Sequence, residues 1–218
     1  MSLMDYTNKP QGYYDNIRYE MLKYLPKDAK KVIEIGCGNG CFAEVIKKQN
    51  EAEVWGIELI ESEADIASKI LNKVFAGECE KHLDALPDNY FDAIYFNDVL
   101  EHLVDPYSVL KKIRSKLSPN GVLISSIPNV RYHNTFMKVL LKKDWKYESF
   151  GVMDFTHLRF FTEKSINRMY KEAGYEIKLS EGINKSRSLK PYLYNIPVLF
   201  TQLDICYPQF ATVVTRKD

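Results

Sequence analysis

Cysteine is scarce in this chain: four among 218 residues, at positions 37, 41, 79 and 206, with no C-x-x-C pair. That argues against a disulfide framework or a cysteine zinc site, and it fits reduced thiols in a cytoplasmic setting. No apolar run approaches the roughly 18 residues needed to cross a bilayer. The first residues carry no basic stretch followed by an apolar core, as a secretory leader would. Neither sign of charge dominates, with 30 Lys and Arg against 29 Asp and Glu and a net charge of +1. Global charge therefore does not drive binding to nucleic acid or membranes. Repeats and low-complexity tracts are also missing. The remainder is ordinary for a globular protein, 45% hydrophobic and 27% charged, and the length suits one domain over residues 1–218.

The most informative stretch is Lys31-Val-Ile-Glu-Ile-Gly-Cys-Gly-Asn-Gly40. Val32, Ile33 and Ile35 read as a strand buried on both faces, interrupted by the carboxylate of Glu34. Gly36, Gly38 and Gly40 then follow at G-x-G-x-G spacing, and Phe42, Val45 and Ile46 fall at helical spacing. Strand, glycine turn and helix start together let main chain approach a ligand and leave unpaired N–H groups beside it. The next apolar run, Val54-Trp-Gly-Ile57, ends in Glu58. An acid there can accept both hydroxyls of a ribose, so the pair reads as a nucleoside-cofactor site. A dinucleotide turn needs G-x-G-x-x-G with a small residue at position 41, and here Cys41 stands there while the third glycine comes one place early.

Along the chain, Tyr14, Ile17, Met21, Leu22 and Leu25 form a helical stripe stopped by Pro26, a cap over about residues 12–26. Strands follow at 31–35, 53–58, 74–76, 91–96 and 122–127, with helices between them. The helix after the second strand is marked by Ala64, Ala67, Ile70 and Leu71. Asp105-Pro106 reads as an N-cap with proline at the first helical position, and Ser118-Pro-Asn-Gly121 as a turn. Strict β-α-β-α order argues a parallel sheet with helices on both faces. Residues 130–161 are aromatic and basic with little periodicity, which suits a lid or binding segment. Thr162 caps a helix ending at Gly174, Tyr175–Leu179 is the sixth strand and Phe210–Thr215 the seventh. Residues 180–209 form an insertion whose apolar content suggests a substrate lid or a homodimer contact, with simple core cover equally open.

With Glu34 ahead of the glycines, the first motif resembles that of class I S-adenosylmethionine-dependent methyltransferases (E/D-x-G-x-G-x-G). Further matching pieces are Leu86-Pro-Asp-Asn-Tyr-Phe-Asp92, Asn97-Asp-Val-Leu-Glu-His102, Ser126-Ile-Pro-Asn-Val130 and Asp154-Phe-Thr-His-Leu-Arg-Phe-Phe-Thr162. Together they resemble a subgroup associated with polysaccharide and cell-envelope glycan pathways, over about residues 12–180. The resemblance implies a doubly wound, Rossmann-like α/β fold with a seven-stranded, mostly parallel sheet. It implies S-adenosylmethionine as cofactor. Glu34, Gly36, Cys37, Gly38 and Gly40 would lie at the cofactor's amino-acid end, Glu58 and Leu59 at its ribose, and Glu78 and Cys79 at its adenine. Asn97 and Val99 would lie near the sulfonium, and Tyr14 would close over the cofactor. It says less about the acceptor, because function lives in the site rather than the fold.

Methyl transfer to a hydroxyl needs alignment and a base within reach. Of the four histidines, His102 at the end of the fourth-strand loop is best placed. His157 lies in the segment expected over the acceptor, where Asp154, His157 and Arg159 also suit a purely structural tie. His82 is expected to be solvated. Asp98, Glu101 and His102 would share one face of a helical turn and could hold a divalent cation, as some quinone-pathway O-methyltransferases do with glutamate in place of Asp98. The reading needs no metal. The expected partner is a small-molecule acceptor, a sugar among the candidates, and not nucleic acid: no Asn/Asp-Pro-Pro-Tyr/Phe run follows the fourth strand to hold a flipped base. The alternatives are a cofactor-binding module without turnover and an NAD-dependent oxidoreductase.

Overall fold

The structure is a computed structural model and describes residues 17–217. After a 3-10 turn at Tyr19–Tyr24, the chain runs β1 (Lys31–Ile35), α1 (Cys41–Asn50), β2 (Glu53–Glu58), α2 (Glu61–Ser68), β3 (Lys73–Ala76) and a single turn, α3 (Cys79–His82). It continues with β4 (Phe91–Asn97), α4 (Pro106–Ile113), β5 (Leu117–Pro128), α5 (His133–Lys142), α6 (Glu163–Glu172), β6 (Tyr175–Ile183), α7 (Lys190–Asn195) and β7 (Gln209–Arg216). The strands form one seven-stranded sheet in the order β3-β2-β1-β4-β5-β7-β6. Strands β1 to β5 are parallel, and β7 runs antiparallel between β5 and β6.

Strand residues alternate between two cores, as the period of two requires. Ile33, Ile35, Ile94 and Phe96 face Val109, Leu110 and Ile113 of α4 and Ile166, Met169 and Tyr170 of α6. Val32, Ala93 and Tyr95 face Phe42, Ala43 and Ile46 of α1, Ala67 of α2 and Met21 of the leading turn. Helices therefore cover both faces of the sheet. The strand order reverses between β1 and β4, so a crevice opens at their carboxyl ends.

Local signals set several boundaries. The Asp105 side chain accepts from Ser108 N at 3.1 Å, with Pro106 opening α4. At α6, Thr162 Oγ1 accepts from Ser165 N at 3.3 Å and Ser165 Oγ accepts from Thr162 N at 2.9 Å, a reciprocal cap.

Other expectations need correction. The described part of the leading stripe closes as a six-residue 3-10 turn rather than an α-helix. Pro26 stops it before a longer ladder can form, and Tyr14 lies outside the described residues. The second helix ends at Ser68, short of Ile70 and Leu71. Residues 118–121 fall inside β5, as an irregularity where the β4 register shifts between Phe91 and Ala93. β6 runs to Ile183 because β7 pairs with it as far as Ile183↔Gln209, so ladder hydrogen bonds carry a polar stretch that shows no strand pattern. Within residues 130–161 the chain forms α5, and within the insertion it forms α7.

Gly36 has φ +73°, and a Cβ built on it would lie 2.5 Å from Val99 Cγ2. Gly36→Ala is expected to lower stability by about 1–3 kcal/mol, the sum of left-handed strain and overpacking. Adding Val99→Ala should recover only part of that loss, as measured by denaturant unfolding.

Candidate active site

The glycine turn is pinned to the neighbouring strand β2. Gly36 N and Cys37 N both donate to Ile57 O, at 2.7 and 3.2 Å. Glu58, at the end of β2, accepts from Gly38 N at 2.8 Å through Oε2 and from Ile60 N at 2.9 Å through Oε1. Burial raises its pKa, and those N–H groups oppose the rise. Gly40 caps α1 in the left-handed region with φ +87°. The Cys37 thiol packs against Gly56, where a Cβ would sit 2.5 Å from its sulfur, and burial pushes that thiol up.

Glu34 is 3% exposed at the end of β1. Its Oε1 accepts from Asn97 Nδ2 at 3.0 Å, while Glu34 Oε2 and Asn97 Oδ1 are buried with no hydrogen-bond partner among the described residues. Burial raises its pKa to about 8. Glu34, Asn97, Glu58 and the glycine turn thus converge at the carboxyl ends of neighbouring strands, with Val99 packed on Gly36 and Leu59 half-buried beside Glu58. Glu78 is exposed and paired with Lys81 at 3.2 Å, and Cys79 is buried at the start of α3. His82 is half-buried rather than solvated, its Nε2 2.9 Å from Ala76 O and its ring against Phe75.

The β4 loop closes with a 3-10 turn at Leu100–His102, and Asp98 takes φ +54°. This separates Asp98 from the two residues expected to share its face. Asp98 Oδ1 accepts from Ser126 Oγ at 3.0 Å and Gln209 Nε2 at 2.9 Å, and Oδ2 pairs with the guanidinium of Arg18. In its place, Glu101, His102 and His157 offer ligand atoms that all lie within 4.8 Å of one another. The imidazoles stand edge to face with centroids 4.7 Å apart. His102 Nδ1 lies 3.1 Å from Thr156 O and His157 Nδ1 lies 3.1 Å from Val152 O, contacts that select the Nδ1–H tautomer of each. His157 Nε2 is 3.8 Å from Glu101 Oε1. The Glu101 carboxyl is 1% exposed, neither oxygen has a hydrogen-bond partner among the described residues, and burial holds its pKa well above the usual range.

The segment bearing His157 is fastened to the same loop. Leu158 N and Arg159 N both donate to Glu101 O, at 2.9 and 3.1 Å, and Arg159 Nε donates to Val104 O at 3.1 Å. Asp154 Oδ1 accepts from Thr156 N at 2.9 Å. Asp98, Glu101, His102 and His157 line a cavity of about 320 Å³, walled on its far side by Tyr132 and Lys138 of the α5 region. The arrangement can take a proton at an imidazole Nε2 beside a buried carboxyl, or hold a small divalent cation. Arg18 and Gln209 were not singled out from the sequence, since neither belongs to a motif and both reach Asp98 only through the fold.

A sequence family described as "Methyltransferase domain" matches residues 7–179. The "Ubiquinone biosynthesis O-methyltransferase" of Aeromonas salmonicida is 26% identical over 163 residues, 71% of this chain and 66% of the relative. That of Histophilus somni is 32% identical over 122 residues, 50% of this chain and 51% of the relative. The chain thus spans between about half and two thirds of these relatives' lengths. The crystal structure of a SAM-dependent methyltransferase from Archaeoglobus fulgidus superposes with a TM-score of 0.70 at 20% identity, covering 91% of this chain and 92% of that one. This last likeness speaks to the fold. No helix among the described residues is long and apolar enough to cross a membrane.

Glu34 predicts a pH dependence of stability. Its folded pKa of about 8 lies above the ordinary 4.5, so between those values the folded state holds more protons than the unfolded one. Stability is therefore expected to fall as pH rises from about 4.5 to about 8, by an amount on the order of a few kcal/mol. Thermal denaturation of the ligand-free protein should show this decline. Glu34→Gln should flatten it in part, leaving the share of Glu58 and Glu101, which are raised in the same direction.

Proposed function

Because the chain belongs to the class I S-adenosylmethionine-dependent methyltransferases, we propose that it methylates a hydroxyl group of a small molecule, with His157 as general base. The observation that carries this reading is the imidazole pair beside the buried Glu101 carboxyl, on a cavity also lined by Asp98 of the loop that follows β4. The printed names of the relatives, O-methyltransferases, support oxygen as the methylated atom. A sugar hydroxyl remains among the acceptors to be screened, on the resemblance to the glycan-pathway subgroup.

The residues present fit the cofactor. The unpartnered Glu34 Oε2 and Asn97 Oδ1 suit the ammonium of an amino-acid tail, and the turn has no side chain where Val99 closes on Gly36. In this proposal Glu34 and the turn from Gly36 through Cys37 and Gly38 to Gly40 hold that tail. Glu58 and Leu59 flank the ribose, Glu78 and Cys79 the adenine, and Asn97 and Val99 the sulfonium end. Tyr14, outside the described residues, would cover it. S-adenosylmethionine supplies an electrophilic methyl carbon on a sulfonium leaving group. As the acceptor oxygen takes the methyl, its proton passes to His157 Nε2. The Val152 carbonyl keeps His157 in the base-competent tautomer, and the buried Glu101 carboxyl stands 3.8 Å from the Nε2 that takes the proton. His102, on the same cavity, would position the acceptor hydroxyl.

Calorimetric titration with S-adenosylmethionine and S-adenosylhomocysteine, with NAD as control, tests the cofactor. Binding of the first two alone is expected, with at least a tenfold loss in Glu58→Ala, while binding of NAD instead would overturn the reading. Methyl transfer is then assayed against phenols, catechols and sugars. His157→Ala should cut kcat by about 10²–10³ and leave S-adenosylhomocysteine affinity unchanged. Cofactor binding with no product from any acceptor would favour a module without turnover.

The closeness of the Glu101, His102 and His157 ligand atoms favours one further reading, in which a divalent cation lowers the pKa of the acceptor hydroxyl. Loss of activity in chelator, restored by magnesium or zinc, is the outcome expected of that reading. Full activity in chelator would leave His157 alone as base.

A further inference from the structure

The outer surface inverts the usual partition of apolar residues. On α5, Phe136, Val139, Leu140 and Leu141 are all exposed, Leu141 by 67%. They fall at helical spacing and form an apolar face that no element among the described residues covers. Trp145, Tyr147 and Phe150 continue the exposure beyond the helix. A second exposed set, Leu189, Leu193, Ile196, Val198, Leu199 and Phe200, lies in the insertion around α7. The two sets adjoin: Arg131 Nε donates to Asp204 Oδ2 at 2.5 Å, and His133 Nε2 lies 3.2 Å from Ser186 Oγ. Isolated exposed leucines are ordinary, but a joined array of this extent marks an interaction surface.

Charge identifies what that surface meets. Residues 131–148 and 185–204 contain eight Lys and Arg against three acids, a net +5 in a chain of net +1, so the rest sums to −4. Arg131 and Lys138 are paired with Asp204 and Glu148. Lys142, Lys143, Lys146, Lys185, Arg187 and Lys190 make no ion pair among the described residues and rim the apolar array. A second copy of the same face would bring like charges together, which disfavours a self-paired interface. Exposed aliphatic and aromatic side chains inside a basic rim are what an anionic bilayer surface accepts: acyl chains take the apolar groups and headgroups the cations.

The backbone at the tip carries a second, independent sign. Leu199 and Phe200 take φ of +51° and +59° in succession, a conformation costly for bulky residues, and Leu199 is left 83% exposed. The left-handed pair ends the turn at Ile196–Val198, with Leu199 N donating to Ile196 O at 3.2 Å and Phe200 N to Asn195 O at 3.0 Å. The chain thus reverses with two large apolar side chains at its tip, a shape that suits insertion into something outside the fold.

We infer that α5 and the 185–204 insertion form a docking surface for an anionic lipid bilayer, with Leu199 and Phe200 as the inserting tip. Tyr132 and Lys138, at and within α5, also wall the cavity, so docking brings the cavity's outer wall to the membrane. The surface stands apart from the catalytic proposal, and its test does not depend on turnover.

The full chain is sedimented with phosphatidylcholine vesicles with and without phosphatidylglycerol. Binding is expected only to the anionic vesicles and should weaken as salt rises. Leu199→Ser with Phe200→Ser should reduce it at least tenfold. Lys142→Glu, Lys143→Glu and Lys146→Glu together should do the same. Both variants should bind S-adenosylhomocysteine as the wild type does, which separates loss of docking from loss of fold. No binding to anionic vesicles overturns the inference, whether the chain's first 16 residues or a second copy covers the array. Binding that survives the serine variant but not the charge reversal overturns it as well, because the site would then be a polyanion patch without insertion.

Discussion

Three carboxyls, Glu34, Glu58 and Glu101, are buried along the carboxyl edge of the sheet, and the site is built on the cost of keeping them there. Each has its pKa raised, burial being the largest cause. Glu58 recovers part of the cost from two backbone N–H groups, and Glu34 from a single amide. No side chain among the described residues hydrogen-bonds the Glu101 carboxyl, and the nearby Asp98 charge adds to its cost. A fold selected for stability alone would have replaced these groups with apolar ones of similar size. Their presence at one edge, beside a glycine turn whose Gly36 has no room for a side chain, supports the proposed site for a polar, partly cationic ligand.

The edge also decides how the two halves of the site meet. β1 and β2 lie on one side of the switch point and carry the turn and its acids. β4 carries the loop with Glu101 and His102. The segment bearing His157 belongs to neither half by sequence, yet Leu158 and Arg159 hydrogen-bond the Glu101 carbonyl. The geometry between His157 and the Glu101 carboxyl is therefore fixed through backbone, and it does not rely on a weak contact between the side chains themselves.

The glycine-turn edge of the sheet was legible in the sequence because its constraints are local. G-x-G-x-G, a strand end at Glu58, Asp105-Pro106 and the Thr162 cap each declare a backbone geometry within a few residues. The histidine cluster was not, because its geometry is made by contacts far apart in the chain. The proposed Asp98, Glu101 and His102 face presumed a helical turn from Asp98 onward. The left-handed backbone at Asp98 sends that carboxylate toward Arg18 and Gln209 instead, and His157 takes its place. β6 was read short because its last residues are held by pairing with β7 and carry no alternation of their own.

α5 was missed for a different reason, and the reason is instructive. A helix is recognised by an apolar stripe that the core then buries. Here the stripe exists, at Phe136, Val139, Leu140 and Leu141, but it faces outward. The same holds for the apolar run from Leu193 to Phe200. Where pattern and burial agree, the sequence describes the fold. Where a short apolar stripe lies among basic and aromatic residues and meets no core, as on α5, it is hard to read as a helix, and in this chain it lies beside the cavity lined by Tyr132 and Lys138. The glycine-turn edge is explained by the chain's own packing, whereas the proposed docking surface supplies a partner for apolar groups that the described packing leaves exposed.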